Sequence, residues 1–377
     1  VIPARFIPIV VALVIGASVA VPAGAQSKFL RQGEQADRPI DATARQRVAE
    51  RLAAEVERSY VDGAVAQTLA KQLRDAAARD AWSGVSGSQA FAESLTATLR
   101  RTSHDLHFTV FYNADALPEG RGATLPSAGI QDEERRYALS INYGIESVRR
   151  LPGNVGVLDI RELLLGSDAR LAAAMELLRD TDALILDLRA TRGGRPEIAQ
   201  QIASYLLPEQ PVLLQASWQR ETAETTRTWS LAELPGPRYL GRDVFVLTSS
   251  RTFSAGEMLA WSLQSLDRAT IVGDTTGGGG HGMNFRTLDP HFAAAIPFIK
   301  PIDPRGGGGW EGTGVRPDLA TEGDALRAAH LEALRRVAAR TTDPARKEQL
   351  GRMVADLEQG REPSEARPGG GRQIVRR

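Results

Sequence analysis

Val244-Phe-Val-Leu-Thr-Ser-Ser-Arg-Thr-Phe-Ser-Ala-Gly-Glu257 reads as a buried strand, a short turn and a helix opening at Ser254. The same alternation extends on both sides. Strands are expected at Val155–Ile160, Ala183–Leu188, Val212–Ala216, Val244–Thr248, Thr270–Val272 and Ala294–Phe298. Helices are expected at Ser167–Arg179, Pro196–Leu207, Ser254–Asp267 and Asp324–Ala339. Strands and helices in turn predict an α/β core with a substantial parallel sheet, placed over residues 137–340.

Upstream the periodicity changes to helical. Val48, Leu52, Val56 and Tyr60 share one stripe, Val65, Leu69 and Leu73 a second, and Phe91, Leu95 and Leu99 a third. Breaks near Asp62-Gly63 and Trp82-Ser83-Gly84 separate them. Residues 26–112 thus read as a small helical domain that ends in a short strand, Phe108–Tyr112. Residues 113–136 are polar and punctuated by Pro and Gly, a linker or surface loop. Residues 341–377 are charged and Pro/Gly-interrupted, read as a tail that is disordered beyond a last helix. Phe6 to Ala20 is almost wholly apolar and Ala23-Gly24-Ala25 follows, the pattern of a bacterial signal peptide over residues 1–25. It implies a periplasmic or secreted protein that keeps no membrane span after cleavage.

Composition narrows the chemistry. Lys+Arg and Asp+Glu both number 46 in 377 residues, a balance that argues against a general nucleic-acid binder. There is no cysteine, which excludes disulfides, thiolate metal sites and a cysteine nucleophile. Only five histidines can serve imidazole chemistry: His104, His107, His281, His291 and His330.

A hydroxyl at Ser254 would lie near the positive end of a helix dipole, and the Ala255 amide would face an oxyanion formed there. The same spacing, Ser254-x-x-Glu257, is a capping box, so the segment alone also fits a plain helix cap. Ile185-Leu-Asp-Leu-Arg-Ala-Thr-Arg-Gly-Gly194 runs a hydrophobic strand into a Gly-Gly turn, where amides can approach a ligand or simply make a turn. It lacks the G-x-G-x-x-G dinucleotide spacing. Gly273-Asp-Thr-Thr-Gly-Gly-Gly-Gly-His-Gly282 lacks the Lys of a phosphate loop and reads as flexible. His104 and His107 make poor metal partners across a helix-to-strand junction, so no metal and no cofactor are expected.

In this order the segments resemble the C-terminal processing (tail-specific) serine peptidases, in the branch that includes tricorn core protease and interphotoreceptor retinoid-binding protein. The markers run from about Asp41 to Asp318. They are the helical unit, Ser103-His-Asp-Leu-His-Phe108, Tyr143-Gly144, Leu151-Pro-Gly-Asn-Val-Gly156, Asp187-Leu-Arg with Gly193-Gly194, Thr252-Phe-Ser-Ala-Gly-Glu257, Gly273-Asp-Thr-Thr-Gly-Gly278 and Glu311-Gly-Thr-Gly-Val-Arg-Pro-Asp318. The resemblance implies a crotonase-like core of ββα units and a peptide or unfolded-protein substrate. It implies Ser254 as nucleophile, with Gly193, Gly194 and Ala255 as the oxyanion hole. The tail-processing branch places its Lys base where this chain has Gly279. The tricorn branch uses a His and a late Glu, which fall on His107 and Glu311, as base and as the group that orients it. His281 and His104 stand as alternative bases. The stretch from Asp115 to Arg136 is too short for a PDZ-like domain. The retinoid-binding relatives imply the alternative, a non-catalytic carrier of apolar ligands or an inactive homologue. The sequence leaves the oligomeric state open.

Overall fold

The structure, a computed structural model, describes residues 35–117, 135–303, 305–306 and 308–365. The expected signal peptide and most of the expected linker lie outside these residues.

Three helices come first: α1 (Ala42–Ser59), α2 (Gly63–Ala78) and α3 (Ser88–Ser103). Asp41 and Asp62 cap the first two through their carboxylates, each worth about 0.5–2 kcal/mol. The stripes read from the sequence are the buried faces, with Val48, Leu52, Leu69, Leu73, Phe91, Leu95 and Leu99 fully enclosed. The helices do not close on themselves alone. Their core also takes Val110 and Tyr112 of β1 (Thr109–Tyr112), Leu288 of β9 (Gly282–Asp289), and Phe292, Ala294 and Ile296 of β10 (Phe292–Ile302). This sheet runs β1-β10-β5-β6, with β5 at Leu213–Gln219 and β6 at Glu224–Trp229, and β9 also pairs with β10.

The second sheet holds β2 (Ile145–Leu151), β3 (Val155–Ile160), β4 (Ala183–Asp187), β7 (Asp243–Thr248), β8 (Thr270–Gly273) and β11 (Leu319–Ala320). Its order is β11-β8-β7-β4-β3-β2, with every neighbouring pair parallel except β2 with β3. Leu184, Leu186, Val244 and Val246 face α4 (Asp168–Leu178), α5 (Pro196–Tyr205) and α6 (Ala255–Ser265). Ala183, Ile185, Phe245 and Leu247 face α7 (Ala325–Arg340) and α8 (Pro344–Glu358). Burial on both faces is why these strands read as continuous apolar runs.

Four strands were not legible, the two-residue β11 among them. β2 and β6 are sheet edges with mostly half-exposed or exposed side chains, and β9 carries the polar pattern Gly-Met-Asn-Phe-Arg-Thr-Leu-Asp. The last helix expected after residue 341 is α8. Asp343 caps it, Pro344 opens it, and Leu350, Met353 and Leu357 bury a stripe against α7. Four large apolar residues in fifteen, Leu350, Met353, Val354 and Leu357, give a weak sequence signal, but a partner helix suffices to order them. Among the described residues no helix is long and apolar enough to cross a membrane.

Candidate active site

Ser254 stands between the end of β7 and the start of α6, with φ 52° and ψ −122°. A non-glycine residue in this region is strained, and such strain persists only where surroundings enforce it. The surroundings are dense. The Phe253 amide donates to Thr191 O at 3.0 Å. The Thr252 hydroxyl donates to Leu188 O at 2.8 Å and accepts the Ser249 amide at 3.0 Å. The fully buried Glu257 carboxylate accepts the amides of Ser254, Gly278 and Gly279 at 2.8, 2.7 and 2.8 Å, and the Thr276 hydroxyl besides. Burial pushes the Glu257 carboxyl up, and these four donors pull it back. The capping box is therefore present, but its glutamate also ties the glycine-rich loop to the serine turn.

That loop departs from its flexible reading. A Cβ on Gly279 would lie 2.2 Å from the Phe253 ring, and one on Gly280 would lie 2.8 Å from the Glu311 amide nitrogen. Gly312 N donates to Gly278 O at 2.8 Å, and Trp310 Nε1 to Gly279 O at 3.1 Å. Glycine serves here for close approach rather than for mobility.

The Gly193–Gly194 turn meets Ser254 from the β4 side. Gly193 has φ +112°, and a Cβ there would lie 2.9 Å from Ser254 Cβ. Leu163 N donates to Gly193 O, and Arg195 N to Leu163 O. This bridge leaves the Gly194 amide out of the pairing. Ala255 is the first residue of its helix, so its amide has no intrahelical acceptor. Gly193→Ala should therefore cost about 1–3 kcal/mol in unfolding experiments from backbone strain. It should also slow labelling of Ser254 by a fluorophosphonate probe, since the methyl would press on the serine.

His107 comes from the loop between α3 and β1, so the two sheets contribute opposite halves of the site. Its Nε2 is 3.3 Å from Ser254 Oγ, and its ring lies 4.9 Å from that of Phe253. Asp105, 1% exposed, sits on its other side, with Oδ1 accepting the His107 amide at 3.0 Å and lying 3.5 Å from His107 Nδ1. Asp105 Oδ2 is 2.7 Å from His281 Nδ1. Burial works against ionising Asp105, but the hydrogen bonds and charges of the two imidazoles outweigh it and hold the carboxyl below its usual range. Burial likewise opposes charge on His281, yet the Asp105 hydrogen bond and the Glu311 and Asp105 charges raise its pKa.

The other expected residues fall elsewhere. Glu311 makes no direct hydrogen bond to His107, although the charges of the two groups act on one another. Its carboxylate accepts the Gly280 and His281 amides at 2.7 and 2.8 Å and lies 3.6 Å from His281 Nδ1. Burial and the Asp105 charge raise the Glu311 pKa, against the pull of His281. His104 is the left-handed C-cap of α3, exposed, with its amide bonded to Arg100 O. The carboxylate beside His107 is Asp105, whose signal was the Asp-x-His spacing itself. The spacing lets Asp105 accept the amide two residues on and fix the loop.

Asp105, His281 and Glu311 also offer three ligand atoms within 4.8 Å of one another. The Asp105–His281 distance of 2.7 Å is that of a hydrogen bond. Two ligands about 2.0–2.1 Å from one tetrahedral zinc would stand about 3.3 Å apart.

Residues 154–321 match the model of peptidase family S41. The carboxyl-terminal-processing protease of Synechocystis sp. is 32% identical over 157 residues, 41% of this chain, and the match spans only 35% of that protein's length. Among solved structures, a lipoprotein from Streptococcus agalactiae shares the fold with TM-score 0.52 at 16% identity, over 81% of this chain and 100% of that one. A photosystem II D1 C-terminal processing protease aligns with TM-score 0.48 at 15% identity, over 74% and 93% of the two chains. Asp105 and His107 precede the family match. Residues 154–321, which carry the Gly193–Gly194 turn, Ser254 and Glu311, are similar to peptidase family S41, and the chain resembles the C-terminal processing serine peptidases.

Proposed function

We propose that this protein is a serine peptidase that cleaves peptide bonds through an acyl-enzyme on Ser254. The observation that carries the reading is the 3.3 Å approach of His107 Nε2 to Ser254 Oγ, with a buried carboxylate on the far side of the imidazole. His107 takes the Ser254 proton as Oγ attacks the substrate carbonyl. The oxyanion falls to the amides of Ala255 and the Gly193–Gly194 turn. Collapse breaks the C–N bond, and His107 returns its proton to the leaving amine. Water then repeats the sequence on the ester, releasing the acid and free Ser254. Asp105 stabilises the imidazolium and selects the tautomer with its proton on Nδ1. The longer distances at His107 suit a resting site, since catalytic hydrogen bonds tighten when substrate binds.

The substrate would be a peptide or unfolded protein, and the expected signal sequence would place the reaction in the periplasm or outside the cell. The crotonase-like arrangement of ββα units belongs to the same reading. A fluorophosphonate probe should label the protein, and peptide mapping should locate the adduct at Ser254. An unlabelled protein, or an adduct elsewhere, would remove the proposal.

Labelling should also persist in EDTA, because every step uses side chains and amides of the chain itself. Loss of labelling on chelation and its return with added zinc would instead give the Asp105–His281–Glu311 cluster to a metal.

A further inference from the structure

Nothing in that reaction uses His281, yet it is tied more closely to Asp105 than His107 is. We propose that His281 is a positioning residue that clamps the Asp105 carboxylate from the side away from His107, and that Glu311 completes the clamp by fixing the His281 loop. The proposal rests on the serine peptidase reading.

The geometry divides the two oxygens of Asp105. Oδ1 serves the His107 side, through the amide at 3.0 Å and the ring nitrogen at 3.5 Å. Oδ2 serves His281 Nδ1 at 2.7 Å. A carboxylate held at one oxygen only can still turn about its Cβ–Cγ bond. Held at both, it keeps Oδ1 aimed at His107 Nδ1. That nitrogen is buried and has no hydrogen-bond partner in the resting arrangement, so only a short shift of a well-aimed Asp105 oxygen can satisfy it. His281 is itself held. Glu311 accepts its amide and the Gly280 amide, and Tyr60 at the end of α1 meets its ring edge-on at 6.4 Å between centroids. The clamp thus joins the helical unit, the glycine loop and the Glu311 segment at one carboxylate.

Charge follows from the same contacts. His281 faces Asp105 and Glu311 as anions, the Tyr60 ring, and Lys300 of β10, whose charge acts in the opposite sense. His107 lies beyond Asp105, and Arg100 of α3 feels the Asp105 charge. With two carboxylates against one lysine, His281 carries a proton more readily than a free imidazole. A protonated His281 offsets part of the Asp105 charge that His107 feels. Without it, the Asp105 charge would stand unbalanced beside the imidazole.

Stability has the matching sign. The folded pKa of His281 is raised above its ordinary 6.5. Its contribution is therefore full below 6.5 and lost as pH rises through the raised value.

The test is the rate of fluorophosphonate labelling from pH 5 to 10, with melting curves, for the full chain and for His281→Gln, His281→Ala and Glu311→Gln. His281→Gln keeps a donor for Asp105 and loses the charge. Its acid limb should move up by about one pH unit, the lower range for loss of a nearby like charge, while its alkaline plateau stays close to that of the parent. His281→Ala loses the donor too, and its plateau should fall at least about tenfold, a typical cost of freeing a supporting hydrogen-bond partner. Glu311→Gln should fall between them. The alkaline loss of melting temperature due to His281 should vanish in both His281 variants. A parent labelled at Ser254, with folded His281 variants that keep its plateau and its acid limb, would overturn the clamp and leave the peptidase reading standing. A parent that is not labelled at Ser254 would overturn both.

Discussion

Ser254→Ala should lose hydrolysis and fluorophosphonate labelling together, while the protein remains folded. The hydroxyl is the atom that forms the ester, and no neighbouring group can replace it: the chain has no cysteine, and the nearest basic side chain is His107 at 3.3 Å. The fold has little to lose. Most of what holds this turn reaches it through the backbone, by way of the Glu257 carboxylate and Thr191 O. Removing the hydroxyl removes at most a helix cap, about 0.5–2 kcal/mol. Alanine at φ 52° retains the strain already present, so no further backbone cost is expected. Denaturant melts and labelling on one preparation would separate the two contributions. A variant that unfolds would return Ser254 to a purely structural cap. A folded variant with full turnover would move the nucleophile elsewhere.

His107→Ala should lower kcat/KM for peptide hydrolysis by at least about 100-fold, the lower range for a general base. His107 is 5% exposed, and Phe253 packs on its ring. Some stability will therefore go with the imidazole, and His107→Gln provides a better-filled comparison that still cannot accept and return the proton. His104→Asn is the control. That residue is exposed at the end of α3, and asparagine tolerates its left-handed backbone, φ 58°. It should retain nearly full activity. An active His107→Gln together with a dead His104→Asn would refute the assignment of the base. An active His107→Gln with a dead His281→Gln would give the base to the glycine loop.

Much of the core was legible because its signal is local. β3 buries all six of its residues and β4 all five, so an unbroken apolar run marks each strand. The stripes of α1 to α3 repeat every three or four residues for an equally local reason. The edge strands β2 and β6 carried no such signal, because an edge needs only partner amides and can keep polar side chains on both faces. Within the site, Ser254 and the Gly193–Gly194 turn could be picked out because strand, turn and helix follow one another within a few residues. The glycine loop was misread as flexible, because composition does not reveal which carboxylates will accept its amides.

The sequence by itself determined the elements and the short list of reactive groups: one serine at a strand–helix turn, five histidines, no thiol. The tertiary structure decided which of them meet. Asp105 and His281 are 176 positions apart, and His107 and Ser254 are 147 apart. No local pattern encodes such pairings. They arise because β1 and β10 join one sheet while β7 and β4 join another, and the two bring the α3–β1 loop over the start of α6. That packing put Asp105 beside His107 and left Glu311 with His281, a choice between two carboxylates that spacing along the chain could not make.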